Sequence, residues 1–240
     1  MENATVTHLS ERFEVAFNQI HNWLQKNIKN VQSDKFTELL RLGFPVHSII
    51  RKHYHDLKIF ARLRNSIVHD KVELGFYIAE PHVRVVEQIE NIASQLTQPR
   101  AALSIATKPV FFYYEDAKLK DILTVINKRS YSVFPIYDQN GFKWPLTADC
   151  IIKWFADNLV GNVIQLDDVR VKDLFPLQRK VPIEFMQKEA DMFEIEEIFE
   201  KYHVKNQKLE AVIITETGKP TEKPLGIVTS WDLVEIDVRD

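Results

Sequence analysis

Two short runs of this 240-residue chain have residue types and spacings that could do chemistry. The first is Thr229-Ser230-Trp231-Asp232, which directly follows the apolar run Leu225-Gly226-Ile227-Val228. A helix beginning at Ser230 would offer free backbone N–H groups and a positive dipole end, which suit an anion. A carboxylate three residues after the threonine can accept hydrogen bonds from a pair of hydroxyls. The same spacing is also a capping-box variant, in which Asp232 does no more than close the helix start. Both readings stay open on sequence. The second run is Arg64-Asn65-Ser66-Ile67-Val68-His69. A histidine titrates near neutrality and can move a proton, and an arginine can neutralise charge developing on a phosphate. On a helix Asn65 and His69 share a face, whereas Arg64 and His69 lie about 140° apart. Arg64 and His69 therefore converge only if the helix end distorts or a second copy of the chain supplies one of them. The alternative is plain structure: Arg64 pairing with a carboxylate, and Asn65 bonding His69 at i, i+4.

Other residues carry less. His53 and His55 are two apart and diverge by about 200° on a helix, so they make no metal pair. His47, Arg51 and His55 share a face at i, i+4, i+8, which reads as a solvated or interface stripe with basic character. Phe111-Phe112, Tyr113-Tyr114 and Trp154-Phe155 read as core. The single cysteine, Cys150, excludes a disulfide framework and a cysteine-based metal site within one chain. With six glycines there is neither a P-loop nor a dinucleotide fingerprint.

The elements that must position these groups follow two grammars. Up to about residue 97 the period is helical. Leu9, Phe13, Phe17, Ile20, Leu24 and Ile28 form one stripe, and Val46, Ile49, Ile50, His53, Leu57, Phe60, Ala61, Arg64 and Val68 a second. Pro45 suits the first turn of that second helix. Pro81 opens a further helix through Val85, Val86, Ile89, Ile92, Ala93 and Leu96, and Phe36 to Leu42 is a shorter piece. Three long helices and one short one imply a bundle over 1–97. Thr97-Gln98-Pro99-Arg100 is the linker. From 101 to 240 the order is strand (Val110 to Tyr114), helix, strand (Ser132 to Tyr137), turn, strand (Phe142 to Thr147), helix, and it then repeats. The predicted fold class is α+β, an all-α bundle followed by a tandem β-α-β-β-α pair, about 101–160 and 171–238.

Composition is ordinary for a globular protein, with 45% hydrophobic and 27% charged residues. No apolar run reaches the length of a membrane span, and the N-terminus does not read as a secretory signal. The expectation is a cytoplasmic protein. Net charge is −3: the first 97 residues carry 12 Lys/Arg against 11 Asp/Glu, and the rest 19 against 23. Neither part is basic enough to argue nucleic-acid binding from charge alone. Seven of eight histidines lie in the first part, which acidification would make cationic.

The run Leu225 to Leu233 resembles the closing signature of CBS domains: a glycine, two apolar residues, Thr or Ser, two variable residues, then Asp. Trp144-Pro145-Leu146-Thr147-Ala148-Asp149-Cys150 stands in the corresponding place of the first unit, and Phe134 to Gly141 resembles the family's strand-turn segment. The resemblance covers about 101–238. It implies an adenine nucleotide as regulatory ligand, with AMP, ADP or ATP foremost and S-adenosylmethionine or a cyclic dinucleotide as further choices, and no metal. It implies that Thr229 contacts phosphate or ribose, that Asp232 holds the ribose diol, and that Val181, Ile183, Val212 and Ile136 sandwich the adenine. In the first unit Trp144 replaces the usual glycine and Cys150 the usual aspartate, and Asp149 is one position early, so one nucleotide per chain is expected.

Arg64 to His69, with Ala61-Arg62-Leu63 before it and Asp70 after, resembles the motif of HEPN domains, small helical bundles that are often dimeric ribonucleases. That resemblance covers about 7–97 and implies a homodimer with paired motifs across a two-fold axis. It further implies metal-independent cleavage of RNA to 2′,3′-cyclic phosphate ends, with His69 moving the proton, Arg64 neutralising the phosphorane and Asn65 orienting either. DNA, lacking the 2′-OH, would be inert. Lys71 stands where a nucleotidyltransferase-linked variant has Tyr, so that version is not expected. The sequence thus supports a ribonuclease gated by an adenine nucleotide. The alternatives are a non-enzymatic nucleotide sensor whose bundle dimerises or docks a partner, and a CBS pair that is purely structural.

Overall fold

The computed structural model describes residues 8–29, 33–69, 80–129, 131–159 and 163–239, with the backbone alone of Val68, His69 and 235–239. The chain forms two compact units, one of residues 1–100 with 236–240 and one of 101–235.

The first unit is a helical bundle of α1 (Leu9–Asn27), α2 (Phe36–Gly43), α3 (Ser48–Lys52), α4 (Tyr54–His69) and α5 (Val83–Thr97). The apolar stripes read from the sequence supply its core: Phe13, Phe17, Ile20 and Leu24 meet Leu39, Leu40, Leu57, Phe60, Ile89 and Leu96, all buried. Phe17 stacks on Phe36 at 4.4 Å, and Phe13 meets Phe60 edge-on at 5.9 Å. Across α1 and α5 the Arg12 guanidinium donates to both Glu90 oxygens at 2.8 and 2.7 Å, which holds the Glu90 carboxyl below its ordinary range.

The second helical stripe differs from expectation. It is not one helix from Val46: Pro45 lies in the turn after α2, and the helix breaks at His53 (φ −102°, ψ 15°) into α3 and α4. The break removes the common face expected for His47, Arg51 and His55. His47 is 7% exposed and packs edge-on against Trp23 at 5.1 Å, while Arg51 donates to the Pro45 carbonyl at 3.1 Å. Burial pushes the His53 imidazole down from its ordinary range.

The second unit carries the repeat. After α6 (Ala102–Ile105) come β1 (Tyr113–Tyr114), α7 (Leu119–Arg129), β2 (Val133–Asp138), β3 (Gly141–Thr147) and α8 (Ala148–Asn158). Then follow β4 (Ile183–Gln187), α9 (Met192–Val204), β5 (Ala211–Thr215), β6 (Gly226–Val228) and α10 (Ser230–Arg239). Each sheet has three strands, the first parallel to the second and the second antiparallel to the third. The predicted strand Val110 to Tyr114 is shorter than expected, because only Tyr113 and Tyr114 pair with β2. Alternation along the strands builds two layers of core. Val212 and Ile214 face one way with Ile195 and Val228, while Ala211 and Ile213 face the other with Val133 and Ile227. The second of these layers draws residues from both sheets, so each half-buried sheet covers the other.

Segments outside the repeat complete it. Ala102 and Ala106, which precede the first sheet, lie in the core of the second, and Thr107 bridges to Ile227 by N–H···O bonds of 2.9 and 3.3 Å. In return Val171 and Leu174, from a short 3-10 helix that precedes the second sheet, fill the core of the first. The linear boundaries read from the sequence therefore do not coincide with the packed halves.

Gly141, at φ +122°, closes the β2–β3 turn, and a Cβ there would stand 2.6 Å from the Thr221 Cα and 2.7 Å from the Pro220 carbonyl oxygen. Gly141→Ala is expected to destabilise the fold by about 1–3 kcal/mol, since both the dihedral and the backbone contact oppose it; urea denaturation reads this. The loop it abuts is held by Glu222, whose oxygens accept from the Thr217 N–H and hydroxyl at 2.7 and 2.6 Å. These bonds pull the Glu222 carboxyl down to about 2. A depressed carboxylate stabilises above its unfolded value and loses that contribution as pH falls towards the folded one. We expect the Glu222 side-chain carbon resonance to titrate near 2, not near 4.5.

Candidate functional site

Strand register shows how the two signature runs correspond. Trp144 pairs with Ile136 in one sheet, and Gly226 pairs with Ile214 in the other. Counting on, Thr147 matches Thr229 and Cys150 matches Asp232. Each threonine stands at a helix start, yet the two helices are closed differently. At α8 the Thr147 hydroxyl accepts from the Cys150 N–H at 3.3 Å. At α10 the Thr229 hydroxyl instead donates to Asp232 Oδ2 at 2.7 Å, and the same oxygen accepts the Thr229 N–H at 2.7 Å. The carboxylate thus closes the helix start, the capping alternative that the sequence left open.

Asp232 also does more than cap. Its Oδ1 accepts from the Thr107 hydroxyl at 2.9 Å, a bond across 125 positions of the chain. The bridge between Thr107 and Ile227 brings that hydroxyl to the start of α10. A carboxylate offers about four acceptor sites and three are taken, so room remains on Oδ1. Beside this cluster opens a cleft of about 200 Å³. It is lined by Pro109, Val110, Phe111, Tyr131, Val133 and Ile227 together with Thr107, Thr229 and Asp232. Trp231, 70% exposed, stands at the same cleft. The Phe111 and Tyr131 rings lie 5.7 Å apart. A largely apolar cleft that also holds a carboxylate and two threonine hydroxyls suits a ligand with an aromatic base and a sugar hydroxyl.

Thr229 and Asp232 are therefore brought together as expected, whereas the four apolar residues chosen from the sequence do not line this cleft. Ile136 and Val212 are wholly buried, each in the core of its own sheet and helices. Ile183 packs in the layer shared by the two sheets, and Val181 lies half-buried just before β4. The strand residues that do line it are Ile227 of β6 and Val133 of β2, the latter one position from the buried Phe134 and on the opposite face. Thr107 was missed because nothing local marks it; only its bridge to the last strand gives it a role.

In the first unit Cys150 is 5% exposed, and its thiol donates to the Leu174 carbonyl at 3.5 Å. Burial pushes that thiol up from its ordinary range. Asp149, one position early, is exposed. The first unit has no carboxylate in the position that Asp232 fills.

In the helical unit Arg64 is half-buried, its guanidinium carbon 5.9 Å from the Phe17 ring centroid, and Asn65 is exposed. The His69 side chain, and all of Asp70 and Lys71, lie outside the described residues. Among the described residues no three His, Cys, Asp or Glu side chains are grouped to hold a metal ion, and no helix is long and apolar enough to cross a membrane.

No protein-family model matches the sequence, and no curated protein matches it. Solved structures do show likeness. A CBS domain pair in complex with 5′-methylthioadenosine and S-adenosyl-L-methionine is 16% identical, with a TM-score of 0.38, over 57% of this chain and 95% of that one. A CBS-domain protein of unknown function from Kribbella flavida is 16% identical, with a TM-score of 0.42, over 58% and 99%. The CBS domain of a bacterial CNNM/CorC family Mg2+ transporter is 16% identical, with a TM-score of 0.43, over 64% and 85%.

Proposed function

We propose that the tandem β-α-β-β-α pair is a CBS-type sensor that binds one adenosine-containing ligand in the cleft at Asp232. One observation carries this: Thr107, Thr229 and Asp232, drawn from opposite ends of the unit, converge on one carboxylate in a largely apolar cleft. A ribose hydroxyl would take the open acceptor site on Asp232 Oδ1, and the base would lie between Val110, Phe111 and Val133. The test is calorimetric titration of the full chain with adenosine and adenine nucleotides, beside Asp232→Asn. Binding that is saturable, near one ligand per chain and weakened in the variant supports the sensor. Binding by neither protein leaves the pair purely structural.

The helical unit would be the effector, as a homodimer. The second reading is that it cleaves RNA without metal, using Arg64, Asn65 and His69 under control of the ligand. Its support is the placement of Asn65 in solvent in the last turns of α4, beside an Arg64 steadied by Phe17. Control requires the ligand to favour one arrangement of the dimer over another. If the reading holds, cleavage of a structured RNA in EDTA falls about 10²–10⁴-fold in His69→Ala, the usual contribution of a general acid or base. No cleavage by a folded protein, with or without nucleotide, makes the bundle a dimerising or docking element.

A further inference from the structure

We propose that the cleft at Asp232 selects an adenosine whose 5′ substituent is neutral or cationic, and disfavours AMP, ADP and ATP; this rests on the adenosine-binding reading above. A site built for phosphates surrounds them with cations or free helix N–H groups. This cleft has no cation among its described lining residues, and the helix start beside it already holds a carboxylate. Among its described lining residues there is no Lys, Arg or His, and the one charged side chain is the Asp232 carboxylate. The start of α10 already has its counter-charge. Asp232 Oδ2 takes the Thr229 N–H at 2.7 Å, so the positive end of the helix faces a carboxylate of its own chain. A phosphate brought to that helix start meets like charge across a partly desolvated gap.

The same groups favour a cation. Phe111, Tyr131 and Trp231 present aromatic rings to a cleft that carries one negative charge. A cation near an aromatic face and a carboxylate is attracted by both. Trp231, at 70% exposure and next to Asp232 in the chain, can swing over a 5′ substituent leaving the cleft. The nearest basic residues in sequence are Lys108, Lys128 and Arg129, which are exposed and outside the lining. Lys108 stands in the chain between Thr107 and Pro109 of the lining, which makes ATP, with the longest phosphate chain, the most demanding arm of the test.

The experiment is isothermal titration of the full chain, in low salt without Mg2+, with adenosine, 5′-methylthioadenosine, S-adenosylmethionine, AMP and ATP. The expected result is that adenosine and both sulfur-bearing nucleosides bind at least about tenfold more tightly than AMP or ATP. The gap should narrow as salt screens the repulsion. Trp231→Ala should weaken S-adenosylmethionine about two- to fivefold, the size of an exposed cation–π contact, with a smaller effect on adenosine. AMP or ATP binding as tightly as adenosine overturns the selectivity and leaves the adenosine site standing. Binding by none of the five overturns the adenosine site itself, and the selectivity with it.

Discussion

Asp232→Ala is expected to weaken adenosine binding about 10- to 100-fold. A ribose hydroxyl donating to the open site on Oδ1 makes a hydrogen bond to a charged group, contributing about 1.5–3 kcal/mol, and about 1.4 kcal/mol is tenfold in affinity. The substitution also frees the Thr229 N–H and the Thr107 hydroxyl, both of which Asp232 now satisfies. A stability loss of about 0.5–2 kcal/mol follows, the ordinary range for a lost helix cap. Titration and urea denaturation of the same samples separate the two effects. Asp232→Asn keeps the shape and an acceptor oxygen but loses the charge, so its affinity should fall between the two. An Asp232→Ala protein that binds adenosine as well as the parent would leave capping as the whole role of the carboxylate.

Trp144→Ala is expected to have the largest effect on stability, about 3–5 kcal/mol, as for a large aromatic removed from a closed core. Trp144 is 1% exposed among Phe134, Ile136 and Leu146, and meets the Phe175 ring edge-on at 5.6 Å. Its indole Nε1 has no hydrogen-bond partner. The ring is therefore held by packing alone, and a buried N–H without a partner is itself unfavourable by about 1–3 kcal/mol. Trp144→Phe, which keeps much of the packing and removes that N–H, should cost far less than Trp144→Ala. The shift in denaturation midpoint for the pair reads this. A loss under about 1 kcal/mol in Trp144→Ala would contradict the packing described for the first sheet.

The contrast between Trp144 and Gly226 has a structural cause. At Gly226 the chain entering the unit passes close by, so that a Cβ would stand 2.7 Å from the Ala106 Cβ and 2.9 Å from Leu103 Cδ1. Only glycine fits without a shift. At the matching register in the first sheet the approaching segment is the 3-10 helix, which reaches Trp144 through the Phe175 ring, and an indole fills the space between. The tryptophan that departs from the signature is thus part of the first sheet's packed core.

What the sequence by itself determined is what local rules control. The two grammars, helical period before residue 97 and strand-helix alternation after 101, reflect periodicities of 3.6 and 2 that each element must obey to bury one face. The repeat, the α+β class and the closeness of Thr229 to Asp232 are of that kind, since both residues lie on one turn of chain. The tertiary structure decided whatever depends on long-range approach. Which face of β2 lines the cleft is invisible in a continuous apolar run: Val133 lines it, while Ile136 is buried in the core. The break at His53 could not be read because Ile49, Ile50, His53 and Leu57 keep an apparent helical period across it, and only the packed bundle sets His47 against Trp23. Thr107 lies 125 positions from Asp232 and reaches it only because a segment preceding the first sheet completes the second. Residues far apart in a chain are brought together by burial and backbone pairing across the whole unit, and no local pattern records that.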